Sequence, residues 1–92
     1  MATLHQLNAP HKLANCLKLL AATDCLLLIE SAVVLAVNTT FLQQLPSSVK
    51  VLALSSDLQA RGLLAACPTT IKVISDTQWV VATLEADRVC SW

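Results

Sequence analysis

Four cysteines and two histidines are the residues of this chain best suited to bond-making chemistry near neutral pH. Cys16, Cys25, Cys67 and Cys90 are irregularly spaced, no CxxC pair occurs, and His5 and His11 do not repeat at a metal-ligand interval. That spacing points away from a metal site, because structural zinc needs four ligands at short, regular separations. The start of the chain shows no signal-peptide pattern, so a cytoplasmic setting and four reduced thiols are expected. The chemistry open to such thiols is that of the thiolate, which a neighbouring cation favours. Cys16 is the best placed, with Lys12 and Lys18 nearby in sequence. It lies at the flank of an apolar helical stripe, about 60° from the centre at 100° per residue. The expectation is a half-buried, reachable thiol.

The remaining polar residues have plainer explanations. The chain has no tyrosine and its six carboxylates are scattered singly, so a catalytic triad is hard to assemble. His5 falls inside an expected strand and is read as a structural histidine, hydrogen-bonded locally; His11 opens a helix. Asp57 and Asp76 each fall in a first helical turn, where a carboxylate complements the dipole. Arg61 closes a helix, where it neutralises the C-terminal carbonyls or anchors an interface. Cys25 and Cys67 flank apolar strands and read as structural, and Cys90 lies near a terminus open to fraying. Trp79 should pack against a sheet. Trp92 either tucks back onto the domain or docks into a neighbour. Arg61 and Trp92 are thus the interface candidates.

These residues hang on alternating strand-like and helix-like segments. Expected strands are Thr3–Leu7, Cys25–Ile29, Val49–Leu54 and Ile71–Ile74, several of them apolar on both faces as central parallel strands are. Between them, Leu13, Cys16, Leu17 and Leu20 form one helical stripe within a segment from His11 to Ala22. Ser31 is positioned to cap a short helix through Val37, and Thr40 with Gln43 has capping-box form. Ser55 or Ser56 caps a third helix that Gly62 ends in a left-handed turn. Ser75 with Gln78 forms another capping box, for a last helix from Asp76 to about Asp87. This order predicts a single α/β domain over residues 1–92, with helices on both faces of a parallel sheet. Functional sites in such folds gather beyond the carboxyl ends of the strands, here the loops after Leu7, Ile29, Leu54 and Ile74.

Composition narrows the function. Six basic and six acidic residues give zero net charge, which argues against direct nucleic-acid binding. A single glycine excludes the glycine-rich phosphate loops. Mean hydropathy is high, at +0.65. Yet the most apolar stretch, Cys25 to Val37, is interrupted by Glu30 and is shorter than the about 20 residues a span requires. No membrane association is expected. Hydrophobic residues make up 55% of the chain and charged ones 13%, so part of the apolar surface is expected to face other protein chains.

The segments "TLHQLN", "DCLLLIESAVVLAV", "VKVLALSSDLQARGL" and "WVVATLEADRVCSW", in this order, resemble the DsrH/TusB family of sulfur-relay subunits. The resemblance covers nearly the whole chain and is most specific at Asp57-Leu58-x-Ala60-Arg61-Gly62. It implies a three-layer α/β/α fold of the DsrE/DsrF kind, with a parallel four- to five-stranded sheet and no cofactor. It also implies a heterohexamer with TusC/DsrF-like and TusD/DsrE-like subunits. Such a complex passes persulfide sulfur from a TusA-like donor to a TusE/DsrC-like acceptor, for 2-thiolation of the tRNA wobble uridine or, in DsrH-type systems, for sulfur oxidation. The main persulfide cysteine belongs to the TusD/DsrE-like partner. Enteric-type TusB has no matching cysteine, whereas DsrH-type proteins carry a cysteine in the first helix, in a Cys-Leu-Lys context that Cys16-Leu17-Lys18 matches. Ser31-Ala32 departs from the family's Asp-Gly pair. Two roles follow, a structural subunit or a sulfurtransferase subunit in which Cys16 itself accepts sulfur.

Overall fold

The computed structural model describes residues 2–38 and 40–92. Five strands form one sheet: β1 (Thr3–Leu7), β2 (Cys25–Leu28), β3 (Lys50–Leu54), β4 (Lys72–Ile74) and β5 (Arg88–Ser91). Their spatial order is β4-β3-β2-β1-β5, and every neighbouring pair is parallel. The α-helices are α1 (Leu13–Leu19), α2 (Ser55–Ala60) and α3 (Asp76–Glu85). This is the expected α/β architecture, at the upper strand count.

Topology decides which face each helix covers. From β1 to β4 the chain steps in one direction across the sheet, so right-handed crossovers put all the intervening segments on one face. The step from β4 to β5 reverses, and α3 therefore crosses the opposite face. Packing follows this division. One core joins Leu7, Leu26, Leu28, Val51 and Ala53 of the strands to Leu13, Cys16, Val33, Phe41 and Leu58. The other joins Leu4, Leu27, Ile29, Leu54 and Ile74 to Trp79 and Ala82 of α3. Leu26, Leu27 and Leu28 are fully buried from both sides. Each such leucine contributes about 1.5–3 kcal/mol by leaving water.

Some local signals held and others yielded to packing. Ser75 and Gln78 form the expected capping box, with Gln78 N–H donating to Ser75 Oγ at 3.1 Å and Ser75 N–H to Gln78 Oε1 at 2.8 Å. Gly62 adopts φ +66° past the end of α2. There Leu63 N–H donates to Leu58 O and Gly62 N–H to Gln59 O, the paired bonds of a Schellman stop. The first helix, by contrast, begins as a 3-10 turn at Pro10–Lys12 and ends at Leu19, short of Ala22. Asp24 causes the early stop, because its carboxylate takes the Ala21 N–H while its own N–H bonds Ala21 O.

Glu30–Val37 winds as a 3-10 helix rather than an α-helix, and Ser31 does not cap it. Its hydroxyl donates to Asn8 O instead. Three residues per turn place Ser31, Val34 and Val37 on one outer line while Ala32, Val33, Leu35 and Ala36 are buried. The expected box at Thr40 is also absent: Thr40 N–H and Oγ1 both turn back to Asn38 Oδ1, and the next 3-10 turn starts only at Leu42. Helix α2 follows β3 without a loop, so neither Ser55 nor Ser56 caps it. Residues 88–91, treated above as part of a tail, add to the sheet edge as β5 beside β1.

Among the described residues, one backbone position carries strain. Glu30 has φ 51°, left-handed for a residue with a Cβ. Its N–H is held by Asp57 Oδ2 at 2.6 Å, which fixes the chain as it leaves the sheet. Replacing Glu30 with glycine should therefore stabilise the fold by about 0.5–1 kcal/mol, read as a rise of a few degrees in Tm. A lower Tm would show that the Glu30 side chain contributes more than its backbone costs.

Candidate functional site

Cys16 occupies the centre of the buried face of α1. Leu13, Cys16 and Leu20 are buried while Leu17 is half-exposed, so the stripe is rotated toward Cys16 relative to the expected centre. Its exposure is 0%. Burial raises the thiol from an ordinary 9.0 to about 11, with smaller upward contributions from Cys90 and Asp24. The expected half-exposed thiol, eased toward thiolate by Lys12 and Lys18, is corrected accordingly: the nearby charges that act on Cys16 are acidic, and no cation counters the burial. Cys25, Cys67 and Cys90 are half-buried, and all four cysteines are free. Cys25 is pushed up by burial and eased by Lys50, its cross-strand neighbour on β3.

Beside Cys16 lies a polar cluster that no spacing rule revealed. His5 projects from β1 at 3% exposure, and Asp24 stands just before β2 at 7%. The Asp24 carboxylate accepts from Thr3 N–H at 3.0 Å, Ala21 N–H at 2.9 Å and His5 Nε2 at 3.0 Å. Burial works to raise this carboxyl. The two backbone N–H bonds and the imidazole outweigh it, and its pKa lies below the ordinary value. On the other side of the ring, Trp92 Nε1–H donates to His5 Nδ1 at 3.2 Å. An indole N–H can only donate and a carboxylate can only accept, so His5 is neutral with its proton on Nε2. Both ring nitrogens are engaged, which leaves none to act as a base toward a thiol. His5 is structural, as expected, though its partners lie 19 and 87 positions away rather than locally.

Trp92 thus tucks back onto the domain. Its N–H also extends the sheet pairing, donating to Gln6 O at 2.9 Å. Trp79 packs on the opposite face, where its Nε1–H meets Gln6 Oε1 at 2.6 Å. Arg61 is exposed at the end of α2 and, among the described residues, its guanidinium has no partner. Cys16 and Trp92 belong to one core region, while Arg61 is not brought to them. Asp24 was legible only as an acid ahead of an apolar strand; its pairing depends on the β1–β2 register.

At the carboxyl ends of the strands, Glu30, Asp57 and Asp76 line a shallow concavity. Two of these carboxylates are in use, Asp57 on Glu30 N–H and Asp76 on the Ser56 hydroxyl at 3.1 Å. Among the described residues no group of three or more His, Cys, Asp or Glu is arranged to hold a metal ion. No described helix is long and apolar enough to cross a membrane.

Comparison with known proteins places the chain. A family model described as "DsrH like protein" matches residues 8–89. The chain belongs to the DsrH/TusB family. Within this family it is 35% identical to Protein TusB of Buchnera aphidicola subsp. Baizongia pistaciae (strain Bp), over 78 residues that cover 83% of this chain and 82% of the relative. It is 33% identical to Protein TusB of Cronobacter sakazakii (strain ATCC BAA-894), over the same shares of each chain. The crystal structure of the ychN protein from E. coli has the same fold, with a TM-score of 0.77 at 20% identity over 99% of this chain and 97% of that one.

Proposed function

We propose that this DsrH/TusB-family chain is a structural subunit of a sulfur-relay complex serving 2-thiolation of the tRNA wobble uridine. In this reading it completes an assembly with TusC/DsrF-like and TusD/DsrE-like subunits. Persulfide sulfur then passes from a TusA-like donor to a TusE/DsrC-like acceptor through a cysteine of a partner subunit. The observation that carries the structural role is the burial of Cys16. Sulfur transfer requires a thiolate to attack the outer sulfur of a donor persulfide and then to yield that sulfur to an acceptor thiol. A fully buried thiol raised to about 11 is poorly suited to either step.

The surface supports assembly. Val80, Val81 and Leu84 of α3 and Val89 of β5 are exposed apolar residues on the face that α3 alone covers. Zero net charge accords with service to tRNA at a distance, through protein carriers. The test uses the assembled complex, incubated with a persulfurated donor and read by intact mass. A gain of about 32 Da, one sulfur atom, is expected on a partner subunit and not on this chain. A gain on this chain that disappears in Cys16→Ser would establish the sulfurtransferase role and end the structural one.

A further inference from the structure

His5 sits between two partners with opposite requirements. Asp24 Oδ2 accepts from Nε2–H whether the ring is neutral or protonated. Trp92 Nε1–H needs a bare lone pair on Nδ1, which only the neutral ring offers. The two ring planes are nearly parallel, 18° apart, with centroids 6.2 Å apart. Because the bond joins ring edges, the imidazole meets the positive N–H edge of the indole rather than its negative face. A charge on His5 would gain no cation–π attraction there.

We propose that His5 is a proton-operated latch on Trp92: a proton taken up at Nδ1 displaces the indole while Asp24 keeps the imidazolium in place. The proton replaces a hydrogen-bond acceptor with a second donor, and two N–H groups cannot share that 3.2 Å gap. The surroundings leave His5 as the switching group. From α1 the facing residue is Cys16, coupled to Asp24 and Cys90 and neutral up to about 11. From β2 it is the apolar Leu26, and from β5 it is Cys90, the cross-strand partner of His5. Arg88 lies two residues before Cys90 and exposed, while Lys18 of α1 is exposed as well. Release of the indole uncovers apolar core otherwise screened by Trp92 and loosens the last hydrogen-bonded residue beside β1.

The protein carries its own control, since the other indole N–H, on Trp79, bonds an amide oxygen that does not titrate. The test follows both indole N–H signals and the His5 ring protons by NMR from about pH 8 to pH 5, the window in which histidines change charge. The Trp92 signal should shift with the same midpoint as the His5 ring and much further than the Trp79 signal, whose partner Gln6 also holds Ser91 and the Trp92 backbone N–H. His5→Gln should abolish the Trp92 response. A Trp92 signal that stays in place while His5 titrates would overturn the latch, as would unfolding before His5 takes a proton. If His5→Gln does not fold, the wild-type comparison of the three signals decides alone.

Discussion

Replacing Asp24 with alanine will destabilise the domain by about 3–5 kcal/mol, because it leaves three donors around a buried carboxylate without their acceptor. Three donors depend on this carboxylate, the backbone N–H groups of Thr3 and Ala21 and the His5 ring. Without it, the stop of α1 and the start of β1 lose a shared anchor. Each unsatisfied group costs about 1–3 kcal/mol. At roughly 4–8 °C per kcal/mol for a domain of this size, Tm should fall by well over 10 °C. Asp57→Ala is the comparison, since that half-buried carboxylate accepts one described hydrogen bond and should cost about 1 kcal/mol. Equal losses in the two variants would show that the buried cluster is not what holds these segments. Acid gives the same answer without mutation. The Asp24 carboxyl lies below its ordinary value in the fold, so its contribution is complete above the unfolded carboxylate pKa of about 3.9 and is lost as pH falls through the folded value. Wild-type stability should decline in that acid range, and the decline should shrink in a variant lacking Asp24.

In the native chain, Cys16 will resist alkylation. A rise from 9.0 to about 11 leaves about a hundredfold less thiolate at pH 8 than in an ordinary thiol. Full burial adds a second barrier, since reagent reaches the sulfur only through opening of the fold, whose population is roughly 10⁻³ or less. With limiting iodoacetamide, peptide mass analysis should find label on Cys25, Cys67 and Cys90 long before Cys16. In denaturant all four should react alike. Native labelling of Cys16 at the rate of Cys25 would show that α1 opens readily, and would restore the sulfur-accepting role to it. The raised pKa also predicts an alkaline loss of stability. Burying Cys16 as a neutral thiol favours the fold fully below about pH 9, and this gain fades as pH rises toward about 11.

How much of this was legible in the sequence depends on how far apart the interacting residues lie. The boundaries of β1, the capping box of Ser75 and Gln78, and the stop at Gly62 are each written within a few residues. The Thr40 box failed because Asn38, two residues earlier, competes for the same hydrogen bonds. Cys16 was placed at the edge of its helix stripe by counting angles, which weighs every apolar residue equally. The packed helix turns until its smaller cysteine lies innermost, leaving the larger Leu17 at the margin.

The sequence by itself determined the alternation of strands and helices, the two-faced apolar strands of a parallel sheet, and the family to which the chain belongs. Those rest on local periodicity, on short-range hydrogen bonding and on the order of recognisable segments. Only the tertiary structure decided that β5 returns beside β1, that α3 alone covers the second face, and that Asp24, His5 and Trp92 meet. Those contacts follow from the register of neighbouring strands and the reversal after β4, which bring together residues up to 87 positions apart. Burial then set the chemistry. The same cysteine that reads as a candidate nucleophile beside two lysines becomes, once enclosed by the sheet and by acidic neighbours, a neutral part of the core.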